Sequence, residues 1–88
     1  MDTLADERVK DVRVDEDTLS VDLMDGRTII VPLAWYPRLY HASPKEKSEW
    51  SICGGGYGIA WESIDEHLSV EGLLRGAPAP SFQKEHAA

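Results

Sequence analysis

Several kinds of residue are scarce in this chain, and each scarcity excludes a class of protein. Cys53 is the only cysteine among the 88 residues, so the chain can form neither an internal disulfide nor a cysteine cluster for zinc. No apolar run approaches the ~20 residues that a membrane-spanning helix requires, and the N-terminus has no basic-then-apolar leader. These absences predict a cytoplasmic protein that has no membrane partner.

Basic residues are also few. Nine Lys and Arg oppose sixteen Asp and Glu, the formal net charge is −7, and nine of the acids lie within the first 25 residues. A nucleic-acid binder gains most of its nonspecific affinity from a basic face that neutralises phosphates. The charge therefore argues against direct nucleic-acid binding and favours a basic protein partner.

The length and the ends of the chain predict one small domain. Eighty-eight residues are too few to build two cores. Residues 9–76 are expected to form this domain, and residues 1–8 a flexible N-terminus. Residues 77–88 contain two prolines and no apolar pattern, so a disordered tail is expected there.

The first half of the domain has the alternation of a β-hairpin. Residues 18–23 alternate without a fault, which is typical of a half-buried strand, and a second β-rich segment follows Gly26. A two-residue turn would place the large apolar residues of that segment on the polar face. A three-residue loop with Gly26 in the left-handed conformation instead pairs Val21 with Ile29, so that every core residue shares one face. The bulged hairpin is therefore predicted.

Short helices and short strands are expected in the rest of the domain. Pro37 suits the first turn of a helix, and Ser43 to Glu46 has the pattern of a capping box with proline at the first helical position. Short strands are expected on both sides of a glycine run, followed by a polar turn at 65–67. Ser69 then caps a last helix that Gly76 ends. The fold class predicted is α+β, with a small antiparallel sheet and two or three short helices.

The glycine run at 54–58 is the feature closest to a nucleotide-binding motif. A phosphate-binding loop is followed directly by a helix, usually with a lysine, whereas this run leads into a predicted strand and has no lysine near it. A hairpin connection is the favoured interpretation, and a ligand-binding loop is the alternative that the sequence leaves open.

Potential reactive groups are present but have no supporting pattern. Cys53 with His41 or His67 could in principle make a nucleophile and a base, yet no third residue is placed to orient the imidazole. Three adjacent side chains at 65–67 rarely converge on one metal ion. No catalytic residues, metal site or cofactor are therefore predicted.

Aromatic residues suggest a surface for a partner. Tyr36, Arg38 and Tyr40 are of the types over-represented in binding hot spots, and the segment from Tyr36 to His41 is expected to form part of an interaction surface. With Tyr57, which follows the glycines, they form the predicted partner-binding set.

The chain resembles an uncharacterised bacterial family known as domain of unknown function 2442. The residues that carry the resemblance are Asp25, Gly26, Arg27, Val31, Pro32, Trp35, Pro37, Arg38, Leu39, Gly56, Gly58, Ile59, Trp61, Ile64, Asp65, Glu66, Leu68, Ser69, Val70, Leu73 and Leu74. They cover about residues 9–76, and the run from Trp61 to Leu74 is the most specific part. The sequence departs from the family pattern at Glu62, where proline is frequent, and at His67, where an acid is common.

The resemblance implies a small α+β fold without an established activity. Some members of the family are fused to a helix-turn-helix, and others are encoded beside a second small protein in an antitoxin-like arrangement. No room for a fused DNA-binding part is expected after Gly76, so a role in transcription would act through another polypeptide.

Three functions are therefore in competition. The favoured hypothesis is a protein-binding module, antitoxin-like in form and without catalytic activity, whose partner is encoded nearby; homo-oligomers are also compatible with the sequence. The alternatives are a DNA-linked transcriptional regulator that acts through a partner chain, and a small-ligand-binding protein or enzyme.

Overall fold

The computed structural model describes residues 5–76, and these residues form two three-stranded antiparallel sheets with short helices around them. The strands are β1 (Val9–Val14), β2 (Thr18–Leu23), β3 (Thr28–Pro32), β4 (Ser51–Cys53), β5 (Gly58–Trp61) and β6 (Glu66–Ser69). The helices are α1 (Pro37–Tyr40), α2 (Pro44–Ser48) and α3 (Val70–Arg75), and 3₁₀ turns occupy Leu33–Trp35, Gly54–Gly56 and Glu62–Ile64. The predicted α+β class is confirmed, with the strands divided between two sheets. The predicted tail at 77–88 lies outside the described residues.

The first sheet has the order β1-β2-β3, and its central hairpin has the predicted register. Val21 pairs with Ile29. The loop between the strands is three residues long, and Gly26 at its end has a φ of 96°, which a side chain would strain. This geometry places the core residues of both strands on one face, as the alternation requires. Ile30 lies on the other face, opposite Ser20, and is 63% exposed.

A bulge in β1 was not predicted. The register with β2 shifts between Val9 and Asp11, so Lys10 is an extra residue on that strand. The extra residue brings Val9 onto the same face as Val12, and both side chains are buried. Simple alternation would have placed Val9 on the opposite face.

The loop of the hairpin is held by Asp25. Its carboxylate accepts hydrogen bonds from the backbone N–H groups of Asp6 (2.9 Å) and Arg27 (3.1 Å), and from the Arg27 guanidinium. The guanidinium and the two N–H groups hold the pKa of Asp25 well below its usual range. The same loop also receives the N-terminal segment, because the Met24 N–H donates to the carbonyl of Arg8.

The helices begin where their capping residues predict. Pro37 is the first residue of α1, which ends at Tyr40. In α2 the capping box is formed: the Glu46 N–H donates to the Ser43 hydroxyl, and the Ser43 N–H donates to the Glu46 carboxylate. The last helix is capped by Ser69 and ends at Gly76 in the left-handed conformation, as predicted.

The second sheet has the order β4-β5-β6, and one of its strands differs from the sequence prediction. The polar turn predicted at 65–67 is a turn only at Asp65, where the backbone has a φ of 53°. Glu66 and His67 belong to β6, which pairs with β5. The strand escaped detection because it begins with two polar residues, and the Glu66 side chain is buried.

A single core joins the two sheets. Its buried members come from β1, β2, β3, β5, α1 and α3, and from the turn that starts at Leu33. Trp61 is 0% exposed, while Trp35 and Trp50 are partly buried and pack against the core. None of the helices within residues 5–76 is long and apolar enough to cross a membrane.

Candidate protein-binding surfaces

Tyr36, the first residue of the predicted partner-binding set, lies in the core. Its side chain is 2% exposed. Burial raises the pKa of the Tyr36 phenol to about 12, and the negative charge of Glu66 acts in the same direction. Tyr36 therefore stabilises the fold, and it is not part of a surface that a partner could contact.

Arg38 and Tyr40 lie on the exposed side of α1. The Arg38 guanidinium donates to the backbone carbonyl of Asp65 at 2.6 Å, and it lies 3.6 Å from the carboxylate of the same residue. The Tyr40 ring is 43% exposed and meets the His41 ring edge to face, with 5.1 Å between the centroids. These contacts connect α1 to the turn before β6 and leave Tyr40 accessible.

Tyr57 lies at the opposite end of the second sheet. It precedes β5, whereas Asp65, the contact of Arg38, follows the other end of that strand. Four strand residues span about 13 Å, so Tyr57 is separated from Arg38 and Tyr40. The Tyr57 side chain is 51% exposed. The predicted set thus consists of one core residue and three exposed residues at two separate places on the surface.

The glycine run connects β4 with β5, which confirms its interpretation as a hairpin connection. Gly56 is needed for close approach: a Cβ atom there would lie 2.9 Å from Cγ of Arg8. The Arg8 guanidinium is engaged by the Asp6 carboxylate at 2.9 and 2.6 Å, which raises the pKa of Arg8 and lowers that of Asp6. The shallow cavity of about 600 Å³ beside Tyr57 is lined by Asp6 and Glu7. Because its arginine is already paired and its other charges are acidic, this cavity is poorly suited to a phosphate.

The thiol and the two histidines considered as reactive groups lie on separate elements. Cys53 is on β4 and His67 on β6, at opposite edges of the second sheet, while His41 follows α1. The Cys53 sulfur packs over Gly58, where a Cβ atom would lie 2.9 Å from Sγ. Within residues 5–76, no hydrogen bond joins any two of the three side chains, and no three His, Cys, Asp or Glu side chains gather closely enough to hold a metal ion.

A groove beside β1 is a further surface that the sequence patterns did not single out. It has a volume of about 410 Å³ and lies between the end of β1, the turn that follows it, and α2 with Trp50. We call it the β1 groove; it is lined by Val12, Val14, Asp15, Glu16, Pro44, Lys47, Ser48 and Trp50. Val14 and Trp50 are partly buried, so the groove exposes apolar surface from two distant parts of the chain.

The two sides of the β1 groove carry opposite charges. Asp15 and Glu16, which we call the acidic rim, are exposed and belong to the turn between β1 and β2. Lys47 lies on the opposite side in α2, and its backbone carbonyl accepts a hydrogen bond from the Trp61 indole N–H at 3.0 Å. That bond fixes α2 against the core. Among the described residues, neither the acidic rim nor Lys47 takes part in an ion pair.

Part of the β1 groove could have been found in the sequence. The sequence has alternating valines followed by three consecutive acids, Asp15 to Asp17. This pattern marks the end of an apolar strand and the start of a charged turn. The approach of Trp50 to this turn depends on packing over more than thirty residues of intervening chain, which no local pattern contains.

The architecture defines a class of protein: a small α+β domain of two antiparallel three-stranded sheets with one shared core. Residues 9–79 match the family model described as protein of unknown function (DUF2442), and the chain belongs to that family.

Two solved structures have a similar fold. A protein of unknown function from Rhodospirillum rubrum ATCC 11170 is 32% identical, with a TM-score of 0.73 over 92% of this chain and 96% of that chain. An uncharacterised protein from Chromobacterium violaceum is 25% identical, with a TM-score of 0.72 over 91% of this chain and 76% of that chain. A comparison with curated proteins gave no match. The comparisons thus establish family and fold.

Proposed function

We propose that this protein is a protein-binding module without catalytic activity of its own, and that a partner binds in the β1 groove. The observation that supports the proposal is the groove itself, which keeps the side chains of Val14 and Trp50 partly exposed over a volume of about 410 Å³. Tryptophan is enriched among the residues that dominate binding energy, especially where it lines a pocket. A partner side chain placed there would remove apolar surface from water on both molecules.

The placement of the reactive side chains favours binding over catalysis. A nucleophile needs a base within about 3 Å, and the base needs a group that orients it. The thiol of Cys53 packs against Gly58 instead, and the two described histidines lie on other elements. The groove residues offer carboxylates in the turn after β1 and an amine and a hydroxyl in α2, which suits recognition of a polypeptide surface.

An antitoxin-like pairing is the specific form of this proposal that the acidic composition favours. The net charge of −7 would attract a basic protein and accelerate their encounter. We propose that the partner is a small basic protein whose gene lies beside the gene of this protein. Both proteins would meet in the cytoplasm of the same bacterium. Coexpression of the neighbouring reading frame with this chain tests that form directly, because a stable pair should co-purify through size-exclusion chromatography.

Photo-crosslinking tests whether the groove contacts a protein in the cell. Ser48 lines the groove and is exposed, so benzoylphenylalanine at this position should face a bound partner. Ser63 is also an exposed serine, in the 3₁₀ turn before β6, and provides the matched control position. On irradiation of cells that encode the chain, we expect one adduct of defined mass from position 48 and none from position 63.

Two outcomes would contradict the proposal. The absence of any adduct from position 48 would show that the groove is not occupied by protein. Equal adducts from both positions would show collisions rather than a defined interface. Circular dichroism of both substituted proteins, which should match the parent, ensures that loss of fold is not the cause.

A further inference from the structure

We infer that the β1 groove binds a basic segment of the partner: an apolar side chain packs against Val14 and Trp50, and a Lys or Arg beside it pairs with the acidic rim. This inference rests on the proposed function and adds the chemistry and the orientation of the occupant. The inference follows from the charged side chains around the apolar β1 groove that form no ion pair among the described residues.

The acidic side chains of the N-terminal half differ in whether they pair with an arginine of the same chain. Asp6, Asp22 and Asp25 each accept hydrogen bonds from an arginine of the same chain, at 2.6 to 2.7 Å for the shortest contact. Asp15 and Glu16, by contrast, have no ion pair within the described residues, and the only side-chain hydrogen bond to either is a long one of 3.5 Å from the Thr18 hydroxyl. The acidic rim is therefore free to receive a cation from outside.

The position of the acidic rim relative to the apolar lining restricts the occupant. Asp15 follows Val14 directly, so a cation that reaches the carboxylate lies next to the apolar surface. A side chain that fills the groove and a Lys or Arg one or two residues away would satisfy both. Partial exclusion of water by the apolar contact strengthens the charge pair, because screening by solvent and salt is reduced there.

Lys47 gives the occupant a direction. It lies across the groove from the acidic rim and carries its charge without an ion pair among residues 5–76. A basic residue on that side would be repelled, so the cationic part of the segment has to lie on the β1 side of the apolar anchor. A second copy of this chain is disfavoured as the occupant because two molecules of charge −7 repel each other.

Two synthetic peptides test the inference on the full chain. Both are decapeptides with leucine at alternate positions; one carries lysine and the other glutamate at the remaining positions. Titration into ¹⁵N-labelled protein should shift the amide signals of Val14, Asp15 and Glu16 and the Trp50 indole signal with the lysine peptide. The glutamate peptide should leave them unchanged, and the affinity for the lysine peptide should fall several-fold when the salt concentration is raised.

Two double variants distinguish the effect of the acidic rim on peptide affinity from the effect of the overall charge. Asp15→Asn with Glu16→Gln should weaken binding of the lysine peptide by about 3- to 10-fold, the usual range for two partly exposed charge pairs. Asp11→Asn with Glu62→Gln removes the same charge from exposed positions outside the groove and should change the affinity less than about 2-fold, because screening weakens distant exposed charges. Lys47→Gln should strengthen binding, because it removes the repulsive cation.

The outcomes distinguish this inference from the proposed function. A partner crosslinked at position 48 together with equal binding of the two peptides would retain the protein-binding role and overturn the basic occupant. Equal weakening by the two double variants would overturn the acidic rim as the contact and leave only net charge. Signal shifts confined to residues outside the groove would overturn its location, and preserved dispersion in the spectra shows that each variant is folded.

Discussion

The two sheets of this domain are of the same type and strand number, but they are specified in different ways. Strands of the first sheet have five or six residues, whereas those of the second have three or four. Apart from the bulge at Lys10 and the exposed Ile30, the first sheet follows the alternation of polar and apolar residues. Its outer face carries the charged pair of Arg13 with Asp22 at 2.7 Å. In the second sheet, all four residues of β5 are buried, so alternation is absent from its central strand.

The loops that connect the strands of the two sheets also differ in how they are stabilised. In the first sheet, the loop is stabilised by Asp25, which accepts hydrogen bonds from its neighbour Arg27 and one from the N–H of Asp6. The second sheet depends on distant contacts: Arg8 crosses its glycine run, and the Trp61 indole donates to the carbonyl of Lys47. The first sheet is thus encoded locally, while the second requires the assembled core.

The largest expected effect follows from removal of the Trp61 side chain. Trp61 is 0% exposed and is the largest of the buried side chains, so Trp61→Ala should lower the free energy of unfolding by about 3 to 5 kcal/mol. A domain of this size has only about 5 kcal/mol of stability. Urea unfolding followed by circular dichroism at neutral pH should show a variant that retains at most about 2 kcal/mol of stability and unfolds at much lower urea than the parent.

Val21→Ala in the first sheet is the matched control for this prediction. Val21 is equally buried but smaller, and its truncation should cost about 2 kcal/mol. If Trp61→Ala cost no more than Val21→Ala, the second sheet would not depend on its tryptophan, and the contrast between the sheets would fail.

A smaller effect is expected at Gly58, where β4 and β5 approach closely. A Cβ atom at this position would lie 2.9 Å from Sγ of Cys53, so Gly58→Ala should cost about 1 to 3 kcal/mol through overpacking. Replacing Cys53 by alanine removes the clashing atom. The double variant should therefore be more stable than the sum of the single changes predicts, as measured by a double-mutant cycle in urea. Additive effects would show that the sulfur is not what requires glycine there.

The contrast between the sheets also explains which parts of the fold could be predicted from the sequence. The register of Val21 with Ile29, the capping box at Ser43 and the end of α3 at Gly76 all depend on residues close together in the chain. Strand β6 could not be recognised, because Glu66 is a buried acid at a strand start and its pairing partner lies across an unusual left-handed Asp65.

The candidate surfaces show the same limit. Tyr40 and Tyr57 are accessible, as a partner-binding role would require, but no sequence pattern could place Tyr36, whose burial depends on the assembled core. The β1 groove was missed for the same reason. Its apolar lining joins Val14 with Trp50, and only the packing of α2 beside β1 brings them together.

Gly26→Ala, in the loop of the first sheet, should lower the free energy of unfolding by about 1 to 2 kcal/mol. This is the usual cost of a left-handed backbone for a residue with a side chain. Gly26 has a φ of 96°, and no other atom lies within 4 Å of the place that a Cβ would occupy, so Gly26→Ala acts only through backbone strain. Gly26→Asn should cost less, because asparagine tolerates positive φ better than alanine does. Thermal unfolding of the two variants measures the difference. Equal losses would mean that the side chain meets an obstacle and that the loop is not simply a local turn.

The smallest effect at neutral pH is expected for Tyr36→Phe, which tests the burial of this side chain in the core that the two sheets share. In the unfolded chain a tyrosine ionises near pH 10, whereas the Tyr36 pKa in the folded protein is about 12. Between these values the unfolded state has lost the proton and the folded state retains it, so stability should fall as pH rises from about 10 to 12. The contribution is fully present below about pH 10, and Tyr36→Phe should remove this part of the decline.

Urea unfolding at about pH 8 and at several values above pH 10 provides the measurement, with Tyr40→Phe as the control. Tyr40 is 43% exposed, so its replacement should leave the alkaline decline as in the parent. A parent and a Tyr36→Phe variant with the same dependence on pH would show that the phenol ionises freely in the folded state. In that case Tyr36 could not be buried in the shared core, because desolvation by burial is the main cause that raises its pKa.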